Sequence, residues 1–365
     1  MSMRNKSSKR FGTWAVSCWA RASAQSPAAG IKKKLHTCFG KLEVGKAHPL
    51  SRSTGTFGIS AKLQELICLL AQDHVFEDAE ELLGAFLGVS VSAKQIQRVS
   101  EHYGEKLEDR DASLPVPEVA VNPGAPVYIA MDGSMIFTRE DGWKEAKLGR
   151  IYAGDSRVAV QEGRTEILDS LYVCVVGSNT AFLEKFDPCV QPYGHKVFLG
   201  DGAKWIWNWV EDYYGQSVQI LDFYHAVEKL GTYAALAYED PHERRRWLEL
   251  QQQRLKADGV LDVVGELKQR AARRGESGEE GKALGDVIRY YESNLKRMLY
   301  GTFLQKGYLI GSGAIESAHR TVIQQRLKLS GQRWSIAGAQ RIANLRACQK
   351  SNRWGDLIKK IKRAA

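Results

Sequence analysis

Between residues 127 and 222 the chain repeats one pattern: a short apolar run that stops at an aspartate. Val127–Met131 ends in Asp132-Gly133, Lys196–Leu199 leads through Gly200 into Asp201-Gly202, and Val218–Leu221 ends at Asp222. Short apolar runs closed by turn residues read as strands covered on both faces. Lys147–Ala153 and Ile167–Val176 are further strand candidates, and Trp205–Tyr214 reads as a helix between the last two runs. Three strands in succession, then strands separated by a helix, predict an α/β sheet. Open α/β folds place their ligands at the carboxyl edge of the sheet, where these aspartates stand.

Upstream of the sheet the texture is helical. Ser60 is a plausible cap for Ala61–Ala71, whose Leu63, Leu66, Ile67, Leu69 and Leu70 follow helical spacing. Phe76, Ala79, Leu82, Leu83 and Phe86 mark a second helix, Gly88-Val89-Ser90 breaks it, and Ser92 caps a third running to Tyr103. With Lys94, Gln95, Gln97 and Arg98 exposed on the third helix, residues 55–110 have the layout of a helix-turn-helix DNA reader, a layout shared with ordinary helical hairpins. Pro115, Pro117, Pro123 and Pro126 make 111–126 a linker. Past Ala226 the strand signal vanishes, and Glu243–Lys256, Val260–Arg273 and Leu284–Leu299 predict an all-helical insertion over 226–308. A last helix runs from Ser312 to about Leu329, ended by Ser330-Gly331.

Charge is distributed unevenly along this order. The net charge is +10, but residues 1–50 carry ten Lys and Arg against Glu43 alone, and residues 317–365 carry twelve against Asp356 alone. The intervening block, with 30 bases and 40 acids, is therefore −10. Basic flanks suit a polyanion such as DNA, while an acidic centre is free to hold cations. Basic termini that are merely solvated have the same composition.

Several classes fall away. No apolar run is long enough to span a membrane. Cys18, Cys38, Cys68, Cys174, Cys189 and Cys348 contain no C-x-x-C pair, which argues against a disulfide framework or zinc cluster and fits a reducing cytoplasm. His36, Cys38 and His48 lack a fourth ligand, so no zinc is expected. The first 24 residues imitate a secretory signal, but Arg21 and a weak apolar stretch favour a flexible basic leader over 1–54.

Glu316 adds a third acid to Asp132 and Asp201, early in the last helix within Gly311-Ser312-Gly313-Ala314-Ile315-Glu316. Converging carboxylates repel one another unless a divalent cation neutralises them, so hard-oxygen ligation of two Mg²⁺ ions, with Mn²⁺ as a substitute, is the expected resolution. Such an ion pair activates a water or a 3′-hydroxyl and stabilises the leaving oxygen of a phosphodiester. Each acid alone has a plainer role: Asp-Gly is a common turn, and Glu316 suits a helix dipole.

Met131-Asp132-Gly133-Ser134, Leu199-Gly200-Asp201-Gly202-Ala203-Lys204-Trp205, Leu221-Asp222-Phe223-Tyr224-His225 and Gly311-Ser312-Gly313-Ala314-Ile315-Glu316-Ser317 resemble, in order, the signature blocks of DDE transposases of bacterial insertion sequences. The closer likeness is to the ISKra type, relatives of the mutator-like group, over residues 55–350. The resemblance implies an RNase H-like core over 127–225 and 309–350, with the insertion ahead of the last acid; by composition a basic tail follows over 351–365. It implies Asp132, Asp201 and Glu316 as the metal-binding triad. It also implies an acid-x-x-His motif at Asp222 and His225, with His225 orienting the scissile phosphate or donating a proton. Asp222 is the rival second ligand because it too ends a strand. The first 50 residues depart from the family start. Double-stranded transposon ends and target DNA are the implied partners of a homo-oligomer in the nucleoid. Arg320, Arg333 and a base-stacking Trp334 join the helix-turn-helix as DNA contacts, although a tryptophan after a helix is more often a packing residue. The alternatives are a DNA-binding protein without catalysis, such as a repressor or decayed copy, and a nuclease of the same fold.

Overall fold

The computed structural model describes residues 32–45, 57–108, 116–161, 164–274 and 278–364. The secretory-like start, His48, Cys18 and Pro115 lie outside these residues. Lys32–Gly45, inside the expected flexible leader, instead forms an antiparallel hairpin of β1 (Lys32–Thr37) and β2 (Gly40–Gly45). It is tied down by His36, whose N–H donates to Gly58 O and whose carbonyl accepts from the Ser60 N–H.

Three helices follow, α1 (Ala61–Ala71), α2 (Phe76–Leu87) and α3 (Ala93–Lys106). The expected caps are present: Ser60 accepts from Leu63 N–H, Ser92 accepts from Gln95 N–H, and Gly88 ends α2 at φ +64°, a conformation that favours glycine.

A mixed five-stranded sheet forms the centre, confirming the α/β class. Its strands are β3 (Val127–Thr138), β4 (Gly142–Ala153), β7 (Leu171–Val176), β8 (Lys196–Gly200) and β9 (Val218–Leu221), in the order β7-β4-β3-β8-β9. β3, β4 and β7 are antiparallel neighbours, whereas β8 and β9 run parallel to β3. A separate exposed hairpin, β5 (Arg157–Gln161) with β6 (Arg164–Ile167), splits the run expected as one strand over 167–176. Helices α4 (Asn179–Val190), α5 (Lys204–Tyr214) and α6 (Phe223–Ala237) accompany the parallel strands. Then come α7 (Pro241–Lys256), α8 (Val260–Arg274), α9 (Gly278–Glu292) and α10 (Tyr300–Gln305). The chain returns through α11 (Gly313–Ala318), a π-helical turn (His319–Gln324), α12 (Ile336–Lys350) and α13 (Trp354–Ala364).

The sheet is covered on both sides, as its apolar strands require. Tyr128, Ile129 and Met131 join the core built with α4 to α10, while Ala130 and Ile136 join a second core with α1 to α3, α12 and α13. The N-terminal helices are thus part of the body of the molecule. Gly104 on α3 lies so close to Arg341 O that a Cβ there would overlap it.

Buried arginines fix this second layer. Arg346, fully buried, donates to Val322 O at 2.7 Å and to the carbonyls of Gln72 and Thr321, and pairs with Asp73 at 2.8 Å. Arg326 donates to Ala71 O and lies over the rings of Phe76 and Trp334. Part of the basic C-terminal charge is therefore internal cement, not surface for phosphate. Among the described residues no helix is long and apolar enough to cross a membrane.

Candidate active site

Register places the aspartates before any side chain is considered. Met131 pairs with Gly200 and Gly200 with Leu221, so Asp132, Asp201 and Asp222 each stand one residue further on, along three adjacent parallel strands. Neighbouring strands lie about 4.8 Å apart, which makes this edge dense in carboxylate.

Each aspartate is held differently. Asp132 accepts from Gly133 N–H at 2.7 Å, and Asp201 accepts from Ala203 N–H at 3.0 Å in an Asx turn. Asp222 is fully buried and caps α6, accepting from the N–H groups of Tyr224 at 2.5 Å and His225 at 3.0 Å. Its other oxygen accepts from Ser312 N–H at 2.6 Å. An ionised carboxylate has about four acceptor positions, so three are used for the fold and one remains.

The Ser312 bond decides which acids meet. Together with the Phe223 N–H donating to Ile310 O, it pins the segment before Glu316 to the end of β9, 90 residues earlier in the chain. Asp222, His225 and Glu316 consequently present ligand atoms within 4.8 Å of one another. Ser312 Oγ donates to Glu316 Oε1 at 3.2 Å, and His225 Nδ1 lies 3.3 Å from Glu228 Oε2.

The trio expected from the sequence, Asp132 with Asp201 and Glu316, is not the one drawn together. Among the described residues the metal-capable group is Asp222, His225 and Glu316, with Asp132 and Asp201 beside it on the same edge. Two carboxylates and an imidazole offer oxygen and nitrogen donors to a divalent metal ion, a set that does not by itself select one metal.

Asp132 reports the local field. Burial, the largest cause, together with the carboxylates of Asp201 and Glu145, pushes its pKa up from 3.8 to about 6, against the Gly133 N–H and His225. A cation bound beside Asp132 would favour its charged form.

His319 was not singled out by sequence. It stands in the π-helical turn one helical turn past Glu316, 4% exposed, with Nε2 3.3 Å from Asp132 Oδ2 and neither ring nitrogen in an aligned hydrogen bond. Burial, only partly opposed by the main chain of Asp132, pulls its pKa down to about 4, so it is neutral near pH 7. Glu316 and His319 form an acid-x-x-His spacing that repeats the one at Asp222 and His225, and this was the legible signal. Tyr290 was missed as well. It comes from α9, and its ring occupies the space a Cβ at Gly202 would need, so the packing of α9 requires the glycine after Asp201.

The expected DNA-contact residues divide. Lys94, Gln97, Arg98, Arg320 and Arg333 are exposed, and Gln95 is half-buried. Gln97 is engaged by Glu101. Trp334 is corrected: it is 8% exposed, its N–H donates to Phe137 O, its carbonyl accepts from Arg139 N–H, and its ring packs on Phe76. A base cannot reach it. Compared with known proteins, the chain matches no family model and no curated protein.

Proposed function

We propose that this protein is a DNA transposase of the DDE type, cutting transposon ends and joining them to target DNA with divalent-ion assistance. The observation that carries the reading is the convergence of Asp222, His225 and Glu316 beside Asp132 and Asp201 at the carboxyl edge of three parallel strands. The strand order supports an RNase H-like core: counted within the sheet it is three-two-one-four-five, with the last two strands parallel to the first. The helices between β9 and Glu316 then correspond to the insertion.

In this reading Asp222 and Glu316, with His225, hold one cation, and Asp132 with Asp201 supplies oxygens for a second. Bound there, divalent ions polarise the phosphodiester and lower the pKa of the attacking hydroxyl or water. The chain's own residues do the rest. The Ser312–Asp222 bond fixes the Glu316 helix against the strand edge, and His225 orients the scissile phosphate. Lys94 and Arg98 at the exposed start of α3, with Arg320 and Arg333, contact phosphates, the helix-turn-helix meeting DNA by its N-terminal turns. The proposed setting is cytoplasmic, with homo-oligomers assembled on DNA.

The test is cleavage and joining of labelled DNA carrying the inverted repeats that flank the reading frame. Joined product from the wild type, lost in Glu316→Gln, supports the proposal. Cleavage without joining indicates a nuclease, and DNA binding that persists with no cleavage indicates a non-enzymatic binder.

A further inference from the structure

Next to the carboxylate edge lies a recess of about 360 Å³ that the catalytic reading does not use. Leu304, Leu309, Ile310 and Ala314 give it an apolar lining, β5 contributes Arg157, and α6 contributes Tyr224. The Tyr224 ring is 66% exposed and is backed by Gly311, where a Cβ would overlap ring carbons. Tyr224 lies between Asp222 and His225 in the chain, and Ala314 precedes Glu316 by two residues. The recess is thus lined by chain neighbours of the metal-capable group, on the segments that the Ser312–Asp222 hydrogen bond holds together.

We infer that this recess takes one unstacked nucleobase of the DNA strand whose phosphate sits at Asp222, His225 and Glu316, stacked on Tyr224. An exposed aromatic ring over an apolar lining, with a guanidinium nearby for the backbone, is the combination that holds single-stranded bases without reading sequence. Arg157, the charged side chain of the lining, favours a strand carrying phosphates over an apolar peptide. This inference rests on the transposase reading and names where the strand beside the cut is held.

The probe is a short single strand ending in 2-aminopurine, bound to the full chain at low salt without divalent ions. Stacking quenches its fluorescence. Tyr224→Phe keeps the quenching, whereas Tyr224→Ala loses it and weakens binding by about five- to a hundredfold. Ala314→Trp, which fills the recess, also loses it. Glu316→Gln, which removes cleavage in the transposase reading, leaves quenching in place. Equal quenching in wild type, Tyr224→Ala and Ala314→Trp overturns the inference. DNA that is cut and joined by a wild type that does not quench the probe overturns it while leaving the transposase reading intact. A chain that neither binds nor cuts DNA overturns both.

Discussion

Replacing Arg346 by Met tests whether the C-terminal basic charge is structural. The guanidinium is wholly buried, serves three main-chain carbonyls and pairs with Asp73. Met fills much of the stem's volume but supplies no donor. Removing one partner of a buried charged network costs about 3–5 kcal/mol, a large part of a total stability of about 5–15 kcal/mol. Arg341 provides the contrast. It is 29% exposed and pairs with Glu105 at 2.6 Å and Glu101 at 3.4 Å, so Arg341→Met should cost about 0–1 kcal/mol. Urea denaturation followed by tryptophan fluorescence measures both. The midpoint should fall sharply for Arg346→Met with an unchanged slope, and barely for Arg341→Met. Equal losses, or a loss below about 1 kcal/mol at Arg346, refute the assignment of this arginine as internal cement.

Other outcomes follow from the same geometry. Asp132 has a folded pKa of about 6, above its usual 3.8, so its contribution to stability is fully present below about pH 4 and is lost as pH rises through 6. Asp132→Asn should therefore gain on the wild type between pH 4 and pH 7, by on the order of 1 kcal/mol for a carboxylate one third exposed, in chelator-treated protein; parallel pH profiles contradict this. His319 acts oppositely, its depressed pKa costing stability as pH falls from 6.5 towards 4, which is why the difference between the two proteins is the quantity to read. Gly104→Ala should destabilise by about 1–3 kcal/mol in thermal melts by forcing α3 from Arg341, and a neutral result denies that close approach. Lys94→Ala with Arg98→Ala should flatten the salt dependence of DNA affinity by about two phosphate contacts, whereas an unchanged slope removes α3 from the interface.

β8 and β9 were legible because they are apolar and end abruptly, whereas β3, expected to stop at Met131, runs on through Asp132 to Thr138 as the partner of β4. The α1 helix was legible to the residue because Ser60 caps a regular apolar stripe. What escaped lacks such a stripe. The α12 helix is buried on nearly every side, with Gly338, Ile342, Leu345 and Arg346 all inside, so no polar face betrays its period. The β5 strand is exposed throughout and shows no alternation of burial. At the site, sequence placed Asp132, Asp201 and Asp222 at one sheet edge, as observed, but did not group Asp222 with His225 and Glu316. Asp201 and Asp222 both end strands, and local pattern cannot say which one faces Glu316. Glu316 is brought to Asp222 by the Ser312–Asp222 and Phe223–Ile310 hydrogen bonds, formed where the chain returns after α10.

The central claim is that Asp222, His225 and Glu316 grip one divalent ion. Titrating the protein with Mn²⁺ and following loss of the free-ion electron paramagnetic resonance signal tests it directly. The account predicts saturable binding in the wild type, weakened at least about tenfold in Glu316→Gln and in His225→Ala. Saturable binding that is identical in all three proteins, or none in the wild type, contradicts it.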